Sequence, residues 1–436
     1  MKIFIGTEEI AGYYITLHRA FNELGIKSDY YCLYHIFEYS SIHDYNTILG
    51  KLLYLISKYR YLSTKNKKRI FKILSIKRFS WFFFNSLLII IRFILLISSI
   101  FKYNTFIFTF GESILPMNMD LPILKLFKKK IIFNIFHGSE ARPIYIDLYG
   151  LDLKQKEKTL ETIYKQSKTK KRKIQIIEKY SDYIVCSFFI SHFLSKKYEF
   201  LYIGYIHPLI EETNNETKNN NEEKIVILHA PSKPIHKGTE KIREAIKKIK
   251  DKYSKIEYIE IINKPHREVL KAIKQCDFII DQLYSDMPLV GLGVEGALYA
   301  KPTIIGGYIW ENFQKIHENK IIPPSFICNP EDIEQSIEFM INNQEFRISL
   351  GKKAKEFVIT NWSPKTIANK FLKIINNDFP QEWYKEPIKD YAHFAAIDEK
   401  TGKEFLKAYI EKYGPEALFL DNKPLLKKAF LKLIEN

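Results

Sequence analysis

The chain has 436 residues, of which 46% are hydrophobic and 27% are charged. This composition excludes a disordered or fibrous protein, and the length is too great for one hydrophobic core, so two domains of about 200 residues are expected. The 67 Lys and Arg exceed the 50 Asp and Glu by 17 charges, which favours anionic partners such as nucleotides or membrane surfaces, although a lysine-rich solvated surface gives the same excess.

The four cysteines are scattered, and none forms a CxxC pair: Cys32, Cys186, Cys276 and Cys328. This spacing argues against a disulfide framework and a structural zinc, and it is typical of a protein in the reducing cytoplasm. The N-terminal stretch MKIFIGTEEIAG has no long apolar core, so no signal peptide is predicted.

The chain opens with a predicted strand at 2–6, a turn at Gly12 and a helix that ends at Gly25, before a second strand, SDYYCL. A strand followed by glycine and a helix is typical of the first βα unit of a Rossmann-like domain. The loop reads GTEEIAG instead of GxGxxG, so it does not predict a dinucleotide site.

Residues 61–101 combine a basic run between Lys65 and Arg78 with an apolar run at 81–101. The apolar run is long enough to span a bilayer. A span would, however, separate the segments at 30–34 and 105–110, which are expected in one sheet. Two interpretations stay open: a helix that lies between the sheet and solvent and is apolar nearly all round, or a helix in the membrane interface whose basic run contacts anionic lipid.

Two predicted strands of the first half end in chemically suggestive residues. TFIFTFGESILP contains a strand ending at Gly111, and KIIFNIFHGSEAR ends in His137-Gly138-Ser139-Glu140-Ala141-Arg142. Ligands in open α/β sheets bind beyond the carboxyl ends of the strands. The His, the acid and the Arg are therefore candidates for a ligand cleft.

A long polar helix with the run KQSKTKKRK is predicted at 152–180. It carries only one nearby aromatic residue, Tyr164, and no recognised binding fold surrounds it, so no nucleic-acid partner is predicted. The polar, low-complexity segment 212–224 is the clearest linker in the chain, and a hinge there would let two domains close over a ligand.

A second domain begins with KIVILHAPSKPIHKGTEKIREAIKKI. This pattern predicts a buried strand, a loop, and a helix that Thr239 can cap. The loop contains Ser232, Lys233 and Lys237. A lysine ammonium placed in such a loop can stabilise charge that grows on a phosphate leaving group.

Residues 277–302 predict a buried strand, a loop with Gly291 and Gly293, and a short helix that ends before Pro302. Two glycines before a helix let the backbone approach a ligand closely, and the free N–H groups of the helix then face an anion. Glu295 lies just inside the helix, where a carboxylate can accept hydrogen bonds from a polyol such as ribose.

This stretch resembles the donor-nucleotide signature of glycosyltransferase family 4, whose members are retaining enzymes of the GT-B fold. The matching positions are Asp277, Gly291, Gly293, Glu295, Ala297 and Ala300-Lys301-Pro302. The chain departs from the family where the first of two glutamates is expected, because Met287 stands there. Asp286, or the pair Asp281-Gln282, is a candidate replacement.

Two more segments are similar to the family. The run 137–142 resembles the family segment His-Gly-Ser-Asp-x-Arg, with Glu140 for the Asp, and Lys237-Gly238-Thr239 matches the place that binds the donor diphosphate. The Arg usually found five residues before that Lys is Ser232, beside Lys233. By the same resemblance the first loop lines the cleft through Gly6, Glu8, Glu9 and Gly12.

The resemblance implies an α/β protein of the GT-B fold, with two Rossmann-like domains that face each other across a cleft and final helices that cross back to the first domain. The expected boundaries are 1–210 for the acceptor domain, 211–223 for the linker and 224–375 for the nucleotide-sugar domain. The helical extension 376–436 lies outside the resemblance, and it is expected to pack on the first domain or to bind a partner.

The implied function is transfer of a sugar from a nucleotide-sugar, UDP- or GDP-linked, to a glycan or lipid-linked acceptor, with retention and without a metal or other cofactor. The setting would be cell-surface polysaccharide synthesis, at the cytoplasmic face of the membrane. The candidate catalytic residues are His137, Glu140, Arg142 and Asp281. The candidate donor-binding residues are Gly12, Ser232, Lys233, Lys237, Gly291, Gly293 and Glu295.

Two alternatives use the same features differently. A sugar-nucleotide epimerase or hydrolase of the GT-B fold would turn over the donor without an acceptor. A non-catalytic, membrane-associated carbohydrate-binding protein would keep the fold and tolerate Met287.

Overall fold

We describe the fold from a computed structural model. It describes residues 1–33, 41–65, 74–136, 138, 140–195, 200–207, 224–287, 289, 291–310 and 322–435. His137 and the predicted linker at 211–223 lie outside these ranges, as does most of the basic run between Lys65 and Arg78.

Twelve strands in the described ranges form two sheets. They are β1 (Ile3–Gly6), β2 (Ser28–Tyr30), β3 (Thr105–Thr109), β4 (Lys130–Ile135), β5 (Tyr183–Cys186), β6 (Phe200–Leu201), β7 (Ile225–His229), β8 (Ile256–Glu260), β9 (Phe278–Gln282), β10 (Thr303–Gly306), β11 (Phe326–Cys328) and β12 (Tyr384–Lys385). The first sheet has the order β12-β6-β5-β4-β3-β1-β2, and the second has the order β11-β10-β9-β7-β8. Apart from the antiparallel pair β12–β6, all neighbours run parallel.

Fifteen α-helices of the described chain connect and cover these strands. They are α1 (Tyr13–Glu23), α2 (Ile48–Lys65), α3 (Leu74–Lys102), α4 (Leu121–Leu126), α5 (Ile144–Asp147), α6 (Lys156–Tyr180), α7 (Pro234–Lys237), α8 (Thr239–Lys252), α9 (His266–Gln275), α10 (Leu292–Leu298), α11 (Ile333–Asn342), α12 (Gln344–Trp362), α13 (Pro364–Ile375), α14 (Glu399–Tyr413) and α15 (Pro424–Leu433).

The central strands are apolar and buried on both faces. All five residues of β3 are buried, as are five of the six in β4. Parallel sheets carry their connecting helices on both faces, which is why such strands do not alternate between apolar and polar residues. The second sheet is also covered on both faces: α8 and α11 pack against one face, and α9 packs against the other.

The two parallel sheets confirm the predicted α/β class with two Rossmann-like domains, and the final helices do cross back to the first domain. Helix α13 packs against α1. Trp362, at the end of α12, accepts a backbone hydrogen bond from His207 at 3.0 Å. Gly204 has a φ of +91°, and a Cβ there would lie 2.3 Å from the Trp362 ring nitrogen, so only glycine fits this crossing.

The C-terminal extension belongs to the first domain. Strand β12 adds to the edge of the first sheet, and α14 packs against α5 and α6. The buried Lys423 ammonium donates to the carbonyls of Ser191 and Ile388 at 3.1 and 2.9 Å. Burial lowers the pKa of Lys423 to about 7. Of the two outcomes left open for this segment, packing on the first domain is the one observed.

Helix α3 has one apolar face that is buried and another that is exposed, a pattern that both interpretations of the apolar run allow. Ile91 and Leu95 are buried, whereas Ile90, Ile94 and Ile97 are exposed. The helix therefore covers the first sheet with one face only. Among the helices of the described ranges, none is sufficiently long and apolar to cross a bilayer.

Candidate functional site

The carboxyl ends of both sheets open into one cavity of about 440 Å³ between the domains. This volume lies within the range of small-molecule sites. Both domains and the C-terminal extension contribute to its lining, which includes Phe110, Phe136, Gly138, Arg142, Tyr205, Ser232, Lys233, His236, Lys237, Gln282, Asp286, Met287, Gly291 and Ala396.

The loop that carries the predicted cationic residues is held by a buried histidine at the end of β7. His229 Nε2 lies 2.9 Å from the Thr239 hydroxyl, and its Nδ1 lies 2.7 Å from the Ile280 carbonyl oxygen in β9. Burial lowers the pKa of this imidazole. The predicted capping role of Thr239 is wrong, because its hydroxyl faces His229 and Gly238 occupies the position before α8.

Lys237 lies at the cleft because α7 ends there and because its ammonium pairs with a buried carboxylate. It ends α7, and its ammonium lies 3.2 Å from one carboxylate oxygen of Asp281, which is almost fully buried near the end of β9. Within the described chain the other Asp281 oxygen has no hydrogen-bond partner. Asp281 thus serves as the buried counter-ion that fixes the ammonium, and Ser232 and Lys233 line the cavity beside it.

Gly238 makes this arrangement sterically feasible. Its φ is +72°, and a Cβ there would lie 2.9 Å from the Cβ of Leu283. Leu283 in turn donates its backbone N–H to the Lys237 carbonyl at 3.0 Å. Glycine at position 238 is therefore required both by the backbone turn and by close packing on the end of β9.

The loop after β9 is ordered around Ser285. Its hydroxyl donates to the Met287 carbonyl at 2.7 Å and accepts from Gln282 at 2.8 Å. Met287, at the position where the resembling family has its first glutamate, lines the cavity with its thioether side chain. Asp286 cannot simply replace that glutamate, because its carboxylate is engaged elsewhere.

The Asp286 carboxylate belongs to a buried ion cluster that joins the two domains. Arg142 donates through Nη2 to Asp147 at 2.8 Å and, through Nη1, binds Asp286 of the second domain. All three side chains are buried. Burial and the nearby Arg142 lower the pKa of His393 to about 3, so this imidazole, 3.8 Å from Asp286, is neutral. Arg142 therefore holds the domains together at the edge of the cleft.

The predicted motif of two glycines and a glutamate lies at the start of α10, as the sequence indicates. Its three residues make different contacts. Gly291 lines the cavity, with φ 48° and ψ −115°, directly before the helix. Gly293 is buried, and a Cβ there would lie 2.8 Å from the Leu289 side chain, so it serves packing. Glu295 is buried in the first turn, and one carboxylate oxygen lies 2.7 Å from Nε2 of His266.

A second cavity, of about 380 Å³, lies in the first domain and shares Phe110 with the cleft. Three carboxylates, those of Glu8, Glu112 and Glu140, line it together with lysines of α6. Burial raises the pKa of Glu8 to about 7, against the opposing charges of Lys173 and Arg92. Glu140 thus faces this second cavity, whereas Arg142 of the same motif faces the cleft.

The first loop contributes less to the cleft than the resemblance implies. Ile10 and Ala11 line the cavity, whereas Gly12, with a φ of 77°, directly precedes α1 and is not among the lining residues. Glu9 is turned inward, because its carboxylate accepts hydrogen bonds from the Ile15 N–H and the Tyr30 hydroxyl, both at 2.9 Å. It caps α1 instead of lining the cleft.

Glu9 gives a pH-dependent test of this arrangement. Burial raises its pKa to about 7, against its hydrogen bonds, so the folded protein retains a proton that the unfolded chain has already lost. The stability supplied by this group is therefore fully present below about pH 4.5 and is lost as pH rises through about 7. Between pH 5 and pH 8, wild type should lose about 2.5 kcal/mol of unfolding free energy relative to Glu9→Gln in urea titrations. Parallel pH profiles of the two proteins would contradict the assignment.

Sequence reasoning missed His236, which joins the second domain to the first domain and its extension. Its Nδ1 lies 3.0 Å from the Ala396 carbonyl oxygen, its Nε2 accepts from the Gly150 N–H at 3.4 Å, and its ring contacts Tyr149 at 4.6 Å. The only local signal was its position one residue before Lys237. The partners lie far away along the chain, so the sequence alone does not reveal the contact.

No protein-family model and no curated protein matches the chain. Solved structures with a similar arrangement include Anabaena HepE in complex with UDP-glucose, at 9% identity and a TM-score of 0.47, covering 86% of this chain and 99% of that one. Sucrose-phosphate synthase from Thermosynechococcus elongatus is similar at 11% identity and a TM-score of 0.47, covering 86% and 98%.

A third similar structure is that of S. aureus MnaA with UDP, at 12% identity and a TM-score of 0.45, covering 89% of this chain and 99% of that one. Each similarity concerns the arrangement of helices and strands. At these TM-scores it decides nothing about ligand or reaction.

Proposed function

We propose that the chain is a glycosyltransferase that takes a sugar from a UDP- or GDP-sugar bound in the cleft. The observation that carries the proposal is the Lys237 ammonium at the cavity wall, fixed by the buried Asp281. A fixed cation at that place can bind the diphosphate and stabilise the negative charge that grows as the glycosidic bond breaks. Ser232 and Lys233, in the same loop, extend this phosphate site.

The ribose would bind at the first turn of α10. Glu295 is held there by His266, and Gly291, four residues earlier, lines the cavity. A carboxylate held in place can accept hydrogen bonds from two neighbouring hydroxyls, which is the pattern that a ribose offers. In this proposal Gly293 keeps α10 close to the loop instead of touching the nucleotide.

The acceptor would enter from the first domain. Glu8, Glu112 and Glu140 present carboxylates to the second cavity, and these can bind the hydroxyls of a glycan or lipid-linked acceptor. Phe110 lines both cavities, so an acceptor hydroxyl at this boundary would face the sugar in the cleft. His137 keeps its predicted role of orienting the transferred sugar, and Arg142 lines the cleft.

Retention of the anomeric configuration belongs to the proposal through the family resemblance. The acceptor would attack from the face that the diphosphate leaves, and the departing diphosphate would take the acceptor's proton. The acceptor oxygen then forms the new bond to the anomeric carbon while the bond from that carbon to the diphosphate oxygen breaks. Metal independence follows from Lys237, whose charge does the neutralising work that a metal ion would do.

The test is release of nucleoside diphosphate from UDP- and GDP-hexoses, with and without free hexoses and octyl glycosides as acceptors. We expect release that depends on an acceptor and a product whose anomeric proton signal shows the configuration of the donor. Donor turnover at the same rate without an acceptor would instead identify an epimerase or hydrolase. No turnover and no nucleotide binding would contradict the proposal altogether.

Replacement of Glu295 by glutamine should raise the KM for the nucleotide-sugar about tenfold, because one charged hydrogen bond to the ribose is lost. The value of kcat should change little, since the ribose contact is the same in ground and transition states. Glu257→Gln, an exposed change in β8, is the matched control. Equal KM values for the two variants would contradict the ribose role.

A further inference from the structure

Helix α3 exposes an apolar face that nothing in the described chain covers. The exposed apolar side chains recur every three to four residues, so they lie along one side of the helix. They are Ile89, Ile90, Phe93, Ile94, Ile97 and Phe101. Phe101 is 80% exposed and Ile97 is 59% exposed, although both are strongly apolar.

The apolar surface continues onto α4. The rings of Phe101 and Phe127 are 6.4 Å apart, and Leu126, next to Phe127, is 79% exposed. Ile123 and Met119 add further exposed apolar atoms on the same segment. We call the exposed apolar residues of α3 and these residues of 119–127 the apolar surface. Soluble monomers rarely expose a contiguous apolar patch of this kind without a binding partner.

The segment of sequence that carries the apolar face of α3 is basic. Residues 45–111 contain twelve Lys and Arg and no Asp or Glu. At the α4 end, Lys128 is exposed and Lys129 is partly exposed. Lys102 and Lys125 are each paired with an acid of the first domain, Asp29 and Asp182, at 2.9 and 2.6 Å. The segment 45–111, which carries the α3 part of the apolar surface, therefore has a large excess of positive charge in its sequence.

We propose that the apolar surface binds an anionic lipid bilayer, with α3 lying in the membrane interface. Burial of apolar side chains together with attraction to acidic headgroups is the combination that holds amphipathic helices at membranes. A second copy of the chain is the poorer partner. A symmetric contact through this surface would bring two acid-free basic segments together, and like charges oppose such an association.

The opposite face of α3 is turned into the first domain. Arg92 is buried on that face and acts on Glu8, which lines the second cavity. This membrane proposal stands without the proposed transferase function, since it rests on the apolar surface and its charge alone.

The test is flotation of the full chain with vesicles of phosphatidylcholine, alone or mixed with phosphatidylglycerol. We expect binding to the mixed vesicles that weakens as salt is raised. The variant Ile94→Ser/Ile97→Ser/Phe101→Ser should have an affinity for the mixed vesicles that is lower by at least roughly tenfold. The control Ile348→Ser/Ile359→Ser/Leu425→Ser removes three exposed apolar side chains elsewhere and should bind like wild type.

Several results would overturn the proposal. These are absence of wild-type binding to the mixed vesicles, equal binding to both vesicle types, and equal binding by the two triple variants. A further contradicting result could come from light scattering. If wild type is a dimer and the α3 variant is a monomer, the apolar surface binds a second copy of the chain. Unchanged thermal unfolding of the α3 variant would show that its loss of binding is not loss of fold.

Discussion

Replacing Lys237 by alanine is expected to lower kcat/KM for the nucleotide-sugar roughly 100- to 1000-fold, the usual effect of removing one transition-state charge stabiliser. The ammonium lies at the cavity wall, and the buried Asp281 fixes it 3.2 Å away. Because a fixed charge needs no reorganisation during the reaction, its loss should reduce kcat and not only raise KM. Steady-state kinetics with saturating acceptor measure both values.

Two control variants are needed to interpret the result for Lys237→Ala. Lys241→Ala removes a lysine of α8 whose partner, Glu331, is exposed, and it should keep wild-type kinetics. Lys237→Ala leaves Asp281 buried without its counter-ion, which lowers stability as well as activity. The double variant Lys237→Met/Asp281→Asn removes both charges, and it therefore shows whether the loss of kcat/KM comes only from lost stability. A well-folded double variant with near wild-type kcat/KM would contradict the role of Lys237.

Replacing Arg142 by alanine should give the largest loss of stability of any single change in the cleft, about 3–5 kcal/mol. The guanidinium is the shared counter-ion of Asp147 and Asp286, and all three groups are buried. Its removal leaves two carboxylates uncompensated in a low-dielectric site and breaks an ion pair between the domains. Equilibrium unfolding in urea at pH 7 measures the loss.

The control is Arg243→Ala, which removes an exposed guanidinium paired with Glu240 and Glu260. Exposed pairs contribute about 0–1 kcal/mol, so this variant should unfold close to wild type. The triple variant Arg142→Met/Asp147→Asn/Asp286→Asn removes all three charges and should recover part of the stability. If Arg142→Ala and Arg243→Ala unfold alike, the cluster does not hold the domains together.

Much of the second domain could be predicted from its sequence, because its signals are local. An apolar strand, a loop and a helix follow one another within about thirty residues around Lys237, and again around Gly291. Parallel strands bring their carboxyl ends to one edge of a sheet, so these two loops had to be neighbours. The structure places both loops at the same cavity.

The buried ion cluster could not be predicted, because its members are far apart in sequence. Arg142 and Asp286 are 144 residues apart and belong to different domains. The sequence placed Arg142 at the cleft and offered Asp286 as a replacement for a missing glutamate. It did not show that the two would neutralise each other.

The error at Thr239 has its physical cause in the tertiary structure. A threonine before a helix is a good cap, but a buried His229 nearby competes for its hydroxyl. At this place a tertiary contact decided between two locally acceptable partners for the hydroxyl.

The central claim is that a nucleoside diphosphate binds at Lys237 in the cleft, and a thermal-shift titration tests it most directly. UDP, GDP, ADP and their common sugar conjugates would be added to wild type, Lys237→Ala and the control Lys241→Ala. A ligand that binds only the folded protein must raise its melting temperature. We predict a rise with UDP or GDP compounds in wild type and in the control, and none in Lys237→Ala. No rise with any nucleotide, or an equal rise in all three proteins, would contradict the account.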